Sequence, residues 1–545
     1  MDRIERCRSH ECWQRLRRCG VNGIDYFHRG HALAPGRPCL VDLATGRRHT
    51  YADVALLTGR VAQTLLERGY DGSSKIGVLA LNDPVAFSAA LGVIRSGATW
   101  LSINARNAAA DIGRQLAAFD CSLLFYQEQF AASVSEIAAA APQIKEFICI
   151  EGRHADNSSL DEWLTTGGLD ERALELVPDP ERVFAIQATG GTTGLPKGVV
   201  WTDRYLESVV AGLYACIPLS RPPVYLVAAP LTHAAGLFAH YMMANGGTCV
   251  LMPTVDLGEI LAAIPKYGVT HLFLPPTVIY GLLNRPDVRD HDYSSVEYLI
   301  YGASPMAAEK IMAAVSVFGP VVCQMYGQTE TGLPVTYLSP TDHFVDGVLG
   351  GDLASPERLS SCGRATPLVK VAIMDDEDNL LPAGEVGEIV VQGSGLSPRY
   401  YDETDAMDSN RARGWHRTGD VGQQDEDGYL TIVDRTRDII ITGGFNVYSA
   451  EVERVILSHP QIQECAVIGI PHEKWGESVI AVVERSGDGS VTADELIELC
   501  RAELGPVKAP KRIDFVAALP RTPVGKVLKR EVRAGYWADL DRNVH

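Results

Sequence analysis

The sequence predicts an α/β fold in at least two domains, a large one at the N-terminus and a small α+β one at the C-terminus. Its 545 residues exceed what one ordinary hydrophobic core organises. Through most of the chain, short apolar runs alternate with helical patterns, which is typical of parallel sheets covered by helices. Beyond Leu380 the segments become shorter and richer in β-strand signals.

The alternation begins with a buried strand predicted at residues 75–81. Asn82-Asp83-Pro84 then supplies a helix start, and the helix is expected to run to about Arg95. A strand, a helix and a further strand are expected at residues 99–103, 109–119 and 123–126. The same pattern returns later, with strands expected at residues 225–229, 248–252, 271–274 and 297–301.

The small domain is expected to follow a charged segment at residues 434–438, which divides the chain into residues 1–436 and 437–545. A helix is predicted near residues 450–458, and strands are predicted at 465–469 and 478–483. Thr492-Ala493-Asp494-Glu495 has the spacing of a capping box and predicts the start of another helix.

Composition excludes several classes of protein. A net charge of −19 and a pI of about 5.2 argue against nucleic acids and anionic membranes as partners. No run of 18 apolar residues exists, so no membrane span is expected, and the arginine-rich start lacks the apolar stretch of a signal peptide. The cluster Cys7, His10, Cys12 and Cys19 fits no usual zinc spacing, and we expect reduced thiols in a cytoplasmic enzyme.

The most informative segment is the run Thr189-Gly190-Gly191-Thr192-Thr193-Gly194-Leu195-Pro196-Lys197-Gly198. Glycines let backbone N–H groups approach an anion, hydroxyls add donors and the lysine adds a charge, so the composition suits a polyphosphate. It is not the common phosphate loop, because a proline precedes the lysine. A flexible surface turn is the alternative that composition alone allows.

Four later segments narrow this interpretation. They are Tyr326-Gly327-Gln328-Thr329-Glu330, Arg417-Thr418-Gly419-Asp420, Asp434-Arg435-Thr436-Arg437-Asp438 with Gly443-Gly444 after it, and Pro520-Arg521-Thr522-Pro523-Val524-Gly525-Lys526. With the threonine-rich run, and in this order, they resemble the adenylate-forming superfamily of acyl-CoA synthetases, adenylation domains and luciferases. The resemblance covers about residues 35–533. It implies a multi-layer N-terminal domain with mixed sheets, and a small domain that rotates about a hinge at Arg437 and Asp438.

The implied activity needs ATP, Mg²⁺ and coenzyme A. A carboxylate is a poor acylating agent, so the family first joins it to AMP, with release of pyrophosphate, and then transfers the acyl group to the CoA thiol. Such a site needs electrostatic stabilisation of a polyphosphate more than it needs a base.

The resemblance implies a role for each residue of these motifs. The phosphates are assigned to Thr189, Gly190, Gly191, Thr192, Thr193, Gly194 and Lys197, and the adenine slot to Gly302, Ala303, Ser304, Tyr326 and Gly327. Thr329 is assigned to the α-phosphate, Glu330 to Mg²⁺, Asp420 to the ribose, and Arg435 to the ribose or phosphate. Taken singly, Glu330 and Asp420 are also compatible with solvated turn carboxylates.

Two further assignments concern the small domain. In the family the lysine that matches Lys526 bridges the carboxylate and the α-phosphate, although a surface lysine is the ordinary alternative. Gly443 and Gly444 match the glycines beside which the thiol arm of CoA passes. Trp475 is expected near that path, with core packing as the alternative.

The acid is expected to bind beside His233, which gates or orients the carboxylate unless it is a core histidine. The pocket is assigned to His233, Ala234, Ala235, Gly302, Gly332 and Leu333. No acidic residue occurs at 230–236 to hold an ammonium, so an apolar aliphatic or aromatic acid is favoured, and small linings leave room for a bulky one. Loading of a carrier protein, luciferase-like oxidation and non-catalytic nucleotide binding are the alternatives, and a homodimer is left open.

Overall fold

The structure is a computed structural model that describes residues 20–154, 157–189, 197–401, 411–472, 474–487, 489–521 and 527–537. Four sheets organise it, two large ones in the first part of the chain and two of five strands each towards the C-terminus.

The first sheet has nine strands and is mixed. In spatial order its strands are β15 (Arg364–Ala365), β14 (Gly332–Leu338), β13 (Val322–Gln328), β12 (Tyr298–Gly302), β11 (His271–Leu274), β9 (Val224–Val227), β10 (Thr248–Leu251), β1 (Pro38–Asp42) and β2 (Arg48–Thr50). The strands from β13 to β1 are parallel, whereas β14, β15 and β2 pair antiparallel at the edges.

The second sheet has six strands. In spatial order they are β6 (Glu146–Cys149), β5 (Cys121–Tyr126), β3 (Lys75–Leu79), β4 (Thr99–Ser102), β7 (Val183–Thr189) and β8 (Lys197–Thr202). Only β7 and β8 pair antiparallel, as a hairpin. The predicted strands of both sheets are confirmed, with ends that match or differ by one or two residues.

Helices cover these sheets and also lie between them. In chain order they are α1 (Asp25–Leu33), α2 (Tyr51–Glu67), α3 (Pro84–Arg95), α4 (Ala109–Ala118), α5 (Val134–Ala140), α6 (Leu160–Trp163), α7 (Asp203–Cys216), α8 (Ala234–Ala244), α9 (Leu257–Tyr267), α10 (Pro276–Leu283), α11 (Ala308–Phe318) and α12 (Pro356–Leu359). Nearly every residue of α3 and α8 is buried, and both helices share one core with strands of both large sheets. They are apolar all round because they have a sheet on each side.

A single side chain connects the two large sheets at the start of α3. Asn82 Nδ2 donates to Ala229 O at 3.0 Å, to Met252 O at 3.0 Å and to Val227 O at 3.3 Å, and Asn82 Oδ1 accepts from Leu231 N at 2.9 Å. Asn82 follows β3 in the second sheet, whereas its partners follow β9 and β10 in the first. Both polar atoms of this buried amide therefore have hydrogen-bond partners.

The third sheet lies between the large sheets and the C-terminal part in the sequence. Its strands are β16 (Val369–Met374), β17 (Gly387–Gly393), β19 (Trp415–Gln424), β18 (Arg411–Ala412) and β20 (Leu430–Arg435). A 3-10 turn at Thr436–Asp438 joins β20 to the fourth sheet. The turn coincides with the expected domain boundary, and the division at residue 436 stays a prediction.

The C-terminal part has its own sheet and core. The strands are β22 (Phe445–Val447), β21 (Ile440–Thr442), β24 (Gly476–Arg485), β23 (Ile462–His472) and β25 (Arg512–Val516), and the helices are α13 (Ser449–Leu457), α14 (Ala493–Lys508) and α15 (Lys529–Trp537). Thr492 and Glu495 form the predicted capping box at the start of α14. The predicted large mixed domain with a small α+β domain is confirmed.

Two expectations from composition can be compared with the described residues. None of their helices combines the length and the apolar character that crossing a membrane requires. Nine cysteines fall among them, all as free thiols, and eight of these are buried.

His240 makes the stability of this core depend on pH. The side chain is 2% exposed on α8, and its ring packs edge-on against Tyr26, Phe87 and Phe184. Burial lowers the pKa of His240 to about 4, and its Nδ1 has no hydrogen-bond partner among the described residues. His240 therefore stays neutral in the folded protein at pH values just below 6.5, where the same side chain is protonated in the unfolded chain.

We expect the His240→Phe variant to lose stability less steeply than the wild type on acidification. Because the unfolded state binds the extra proton, this histidine should lower the free energy of unfolding by about 2 kcal/mol between pH 8 and pH 5. Urea unfolding at both pH values measures the difference, and half-buried His31→Phe is the control. Equal pH dependence in wild type and His240→Phe would contradict this account.

Candidate active site

The residues expected to enclose the adenine lie on two neighbouring strands. Gly302 ends β12 and pairs with Met325 of β13, so Ala303 and Ser304 emerge beside Tyr326 and Gly327 at one edge of the first sheet. Ala303 has a φ of 69°, which turns the chain sharply after the strand. The structure thus brings both expected walls together.

The glycines here have a different purpose from the one that the sequence suggested. A Cβ on Gly302 would lie 2.6 Å from Met325 O, and one on Gly327 would lie 2.2 Å from Gly332 O. These glycines let the strands approach each other. Behind Gly332 the space is filled by Val209 and Tyr205, so small residues at these positions do not by themselves open a large pocket.

Asp420 is the centre of the expected ribose site. Its Oδ2 accepts from Tyr326 Oη at 2.8 Å and from Gln328 Nε2 at 2.6 Å, and its Oδ1 lies 3.3 Å from Arg435 Nε. Asp420 is 6% exposed, which excludes the solvated-turn alternative for this carboxylate. Asp420 and Arg435 face each other across the pairing of β19 with β20.

Burial and the adjacent carboxylate raise the pKa of Tyr326 well above its ordinary value. The phenol therefore stays protonated and donates a hydrogen bond to Asp420. Gln328 completes the group by donating to Thr418 O at 3.0 Å. Gln328 was not among the predicted site residues, although it lies inside the motif at residues 326–330. Its polar side-chain amide is the feature of the sequence that could have indicated it.

Tyr400 contacts both Glu330 and Lys197. Tyr400 Oη donates to Glu330 Oε1 at 3.1 Å, and Lys197 Nζ lies 4.8 Å from the centre of the Tyr400 ring. Burial raises the pKa of Glu330, and hydrogen bonds from its own backbone and from Tyr400 oppose that rise. Tyr400 was missed, since nothing near it in the sequence indicates that it contacts residues 70 and 203 positions away.

The backbone of Thr329 is held by two buried aromatic residues. Trp201 Nε1 and Tyr205 Oη each donate to Thr329 O at 3.1 Å, and the two rings stack with centres 5.2 Å apart. This anchors the turn between β13 and β14 and fixes the position from which Thr329 and Glu330 project.

His233 lies directly before α8, and its Nδ1 is 3.0 Å from Thr232 Oγ1. It is half-buried, which does not fit a core histidine. Ala234 is also half-buried, whereas Ala235 is fully buried in the core of the large domain. Of the two alanines assigned to the acyl pocket, Ala234 is therefore the one that a substrate reaches without repacking.

A cavity lies on the side of this segment that faces the second sheet. It lies between the end of β4, the start of α3 and residues 230–232, and its volume of about 570 Å³ includes the part that is open to solvent. Its walls include Trp100, Phe87, Asp83 and Arg106, but none of the residues assigned to adenine, ribose or the acyl wall. We therefore do not assign the substrates to it.

Thr202 and Asp203 follow the threonine-rich run, and the structure explains both. Thr202 Oγ1 caps α7 by accepting from Tyr205 N. Asp203 is buried, and it accepts from Gly23 N at 2.8 Å and from Arg182 Nη2 at 2.7 Å. Burial raises the pKa of Asp203 to about 6 despite the arginine. These two residues therefore fix the start of α7 against the segments that contain Gly23 and Arg182.

Gly443 and Gly444 form the exposed turn of the β21–β22 hairpin, with φ values of 57° and 82°. Trp475 is 38% exposed beside them, stacks on His472 at 4.4 Å and accepts from Gly443 N through its carbonyl at 2.8 Å. Core packing of Trp475 is thus wrong. Among the described residues, nothing lies within 4 Å of the position that a Cβ on Gly444 would take.

Several predicted residues lie outside the described part of the chain. They are Gly190, Gly191, Thr192, Thr193, Gly194 and Lys526. Thr189 and Lys197, which flank the threonine-rich run, pair with each other at the end of the β7–β8 hairpin. The proposed hinge residues Arg437 and Asp438 lie in the 3-10 turn after β20.

Comparison with known proteins agrees with this geometry. A family model described as AMP-binding enzyme matches residues 27–401, and a second one, AMP-binding enzyme C-terminal domain, matches residues 451–526. The medium/long-chain-fatty-acid–CoA ligase FadD8 of Mycobacterium tuberculosis is 37% identical over 373 residues, 67% of this chain but only 63% of FadD8.

Two further similarities extend over nearly the whole chain. The fatty acid–[acyl-carrier-protein] ligase ScoC of Streptomyces coeruleorubidus is 30% identical over 529 residues, 95% of this chain and 97% of ScoC. The crystal structure of ATP-bound MatB from Rhodopseudomonas palustris superposes with a TM-score of 0.84 at 27% identity, covering 96% of this chain and 100% of MatB. The chain therefore belongs to the AMP-binding enzymes of the adenylate-forming superfamily, the family that its five ordered motifs indicate.

Proposed function

We propose that the protein is an AMP-forming carboxylate–CoA ligase for a hydrophobic aliphatic or aromatic acid. The observation that carries this proposal is the meeting of Tyr326, Gln328 and Arg435 at the buried carboxylate of Asp420, beside the end of β12. A flat slot next to a carboxylate and a guanidinium suits a nucleoside, because the ribose hydroxyls donate and the phosphates need a cation.

In the first half-reaction a carboxylate oxygen of the acid attacks the α-phosphorus of ATP. A new oxygen–phosphorus bond forms, the bond to the bridging oxygen breaks, and pyrophosphate leaves with that oxygen. Lys197, Arg435 and Lys526 are proposed to balance the negative charge on the phosphates. In the second half-reaction the CoA sulfur attacks the acyl carbon and AMP leaves.

Glu330 is proposed to hold Mg²⁺. A carboxylate is a ligand that this cation prefers, and phosphate oxygens and water complete its coordination, so one protein carboxylate is enough. The pKa of Glu330 is raised because the effect of burial exceeds that of its hydrogen bonds and of the attraction to Arg435. Bound there, the ion would neutralise phosphate charge, while Tyr400 orients the carboxylate through its hydroxyl.

The proposed acid is apolar because the residues assigned to its pocket offer no partner for a second charge. His233, Ala234 and Leu333 supply neither a carboxylate for an ammonium nor a permanent cation for a second carboxylate. A buried unpaired charge would cost several kcal/mol. The name of FadD8 supports a fatty acid, and the name of ScoC makes an acyl carrier protein the second candidate acceptor.

We further propose that residues 437–545 rotate about Arg437 and Asp438 between the two half-reactions. The exposed position of Gly443 and Gly444 supports this, since a thiol path beside them would require the hairpin to turn towards the site. A cytoplasmic location is proposed on the free thiols of the described cysteines.

Pyrophosphate release measured with a panel of acids, with and without CoA, tests the activity. We expect linear and aromatic monocarboxylates to be activated, and CoA to raise turnover through thioester formation. The Ala234→Trp variant should penalise bulky acids more than short ones, by roughly 1–3 kcal/mol in kcat/KM, because it fills the pocket entrance. Preference for an amino acid or dicarboxylate, or indifference of the variant, would contradict the assigned pocket.

The Lys526→Ala variant should lose acyl-adenylate formation by about 100-fold or more, because the developing charge loses its cation. Supplied acyl-adenylate should still be converted to the thioester, since rotation removes this lysine from the site. Exposed Lys511→Ala is the matched control. Equal loss of both half-reactions would show that the small domain does not alternate.

The Asp420→Asn variant should weaken ATP binding by about 10- to 100-fold, because a charged acceptor for Tyr326, Gln328 and the ribose is lost. Isothermal titration with ATP measures the change. Asp427→Asn removes an exposed carboxylate from the turn that follows β19 and should leave the affinity unchanged. If both variants bind ATP like the wild type, the ribose lies elsewhere.

A further inference from the structure

A buried polar network connects the two sides of the proposed hinge. Asp434 is the second-last residue of β20, on the N-terminal side, and its carboxylate accepts from Ser449 N and, at 3.0 Å, from Ser449 Oγ. Ser449 begins α13 on the C-terminal side. Asp434 is 4% exposed and Ser449 is fully buried, so this contact is shielded from water.

Lys529 extends the network to the segment that follows Lys526. Its Nζ donates to Ser449 Oγ at 2.6 Å and lies 2.8 Å from Glu453 Oε1, which also accepts from Val467 N at 2.7 Å. Lys529 begins α15, three residues after Lys526. The ammonium is thus part of a continuous chain of hydrogen bonds from α15 through Ser449 to Asp434.

The residues directly before and after 522–526 make further contacts within the C-terminal part. Arg521 and Val527 pair as a β-bridge, and Arg521 contacts Glu464 at 3.2 Å and Glu484 at 3.0 Å. Glu464 is close enough to Tyr280 of α10 to contribute, after the larger effect of burial, to the raised pKa of that phenol. Tyr280 Oη accepts from Ala307 N, just beyond the adenine wall.

The orientation in which this network exists leaves the hairpin of Gly443 and Gly444 in solvent. Because the proposed thiol path runs beside these glycines, the proposed mechanism assigns this orientation to acyl-adenylate formation rather than to thiol transfer. Rotation about Arg437 and Asp438 moves Ser449 and Lys529 relative to Asp434, because Asp434 belongs to the sheet before the hinge and the other two do not. The buried hydrogen bonds between them must then break.

We propose that Lys529 is a positioning residue for acyl-adenylate formation, acting through Ser449 on Asp434 to hold the C-terminal domain in this orientation. The proposal rests on the proposed ligase function and hinge. Lys529 touches no substrate. It fixes where α15 begins, and so sets the place from which Lys526 reaches the site.

The test compares two pairs of the same chemistry in one domain. Lys529→Met with Glu453→Gln removes the buried ion pair without leaving an unpaired charge. Lys508→Met with Glu451→Gln removes a more exposed lysine–glutamate pair, whose Nζ and Oε2 lie 2.7 Å apart, and which makes no contact with Asp434 among those the structure describes. Thermal unfolding first establishes that both double variants are folded.

We expect the Lys529/Glu453 double variant to form acyl-adenylate about 10- to 100-fold more slowly, with little change in the KM for ATP or acid. Conversion of supplied acyl-adenylate to the thioester should stay within about twofold of wild type, because the network is already broken in that state. Asp434→Asn should show the same selectivity, Lys529→Arg should recover part of the rate, and the Lys508/Glu451 double variant should behave like wild type.

Hydrogen–deuterium exchange of the resting enzyme supplies a measurement that needs no turnover. The amide of Ser449 donates to Asp434, so peptides covering residues 447–452 should exchange faster in Asp434→Asn and in the Lys529/Glu453 double variant than in the control. Equal loss of both half-reactions, an equal deficit in the control pair, or unchanged exchange would overturn the proposal. If the wild type activates no acid, the ligase proposal fails, and exchange still decides whether Lys529 holds the domains together.

Discussion

The arrangement of the proposed nucleotide site depends on the hydrogen bonds that the carboxylate of Asp420 accepts from Tyr326 and Gln328. Asp420 lies on β19 of the third sheet, yet its hydrogen-bond donors come from β13 of the first sheet, so it joins two sheets at the place where the substrate would bind. A buried carboxylate is tolerated only with such partners. Tyr326 and Gln328 are held on one oxygen, while half-exposed Arg435 approaches the other. The guanidinium can therefore exchange partners without disturbing the fold.

Much of the fold could be predicted because the elements are strongly patterned. The strand at His271–Leu274 and the helix at Pro84–Arg95 follow from apolar runs and from a start at Asp83-Pro84. The number of sheets and their strand order could not, since β1 pairs with β10 across more than 200 residues and no local signal encodes that choice. The resemblance to the family implied the mixed sheets, whereas the small domain also followed from the shorter, β-rich segments beyond Leu380.

The candidate site was predictable where a motif is continuous and not where contacts cross the chain. Asp420, Tyr326 and Arg435 lie in three motifs and do meet. Tyr400 joins Lys197 to Glu330 from a segment without any motif, and Asn82 joins the large sheets from a helix start that suggested only a cap. At Gly302 and Gly327 neighbouring strands approach closely, which the sequence did not indicate, because steric room between strands and room for a substrate look alike in sequence. Their place in the site stays a prediction.

The pairing of β1 with β10 has a consequence for synthesis on the ribosome. Leu40 and Val41 can pair with Cys249 and Val250 only after β10 has been synthesised. The second sheet, built from β3 to β8, is by contrast complete before β9 is made. At about 5–20 residues per second the wait is roughly 10–40 s, during which one side of an apolar strand has no partner. Its neighbour β2 carries Arg48 and His49 at the sheet edge, and such charged and polar side chains discourage pairing with another nascent chain.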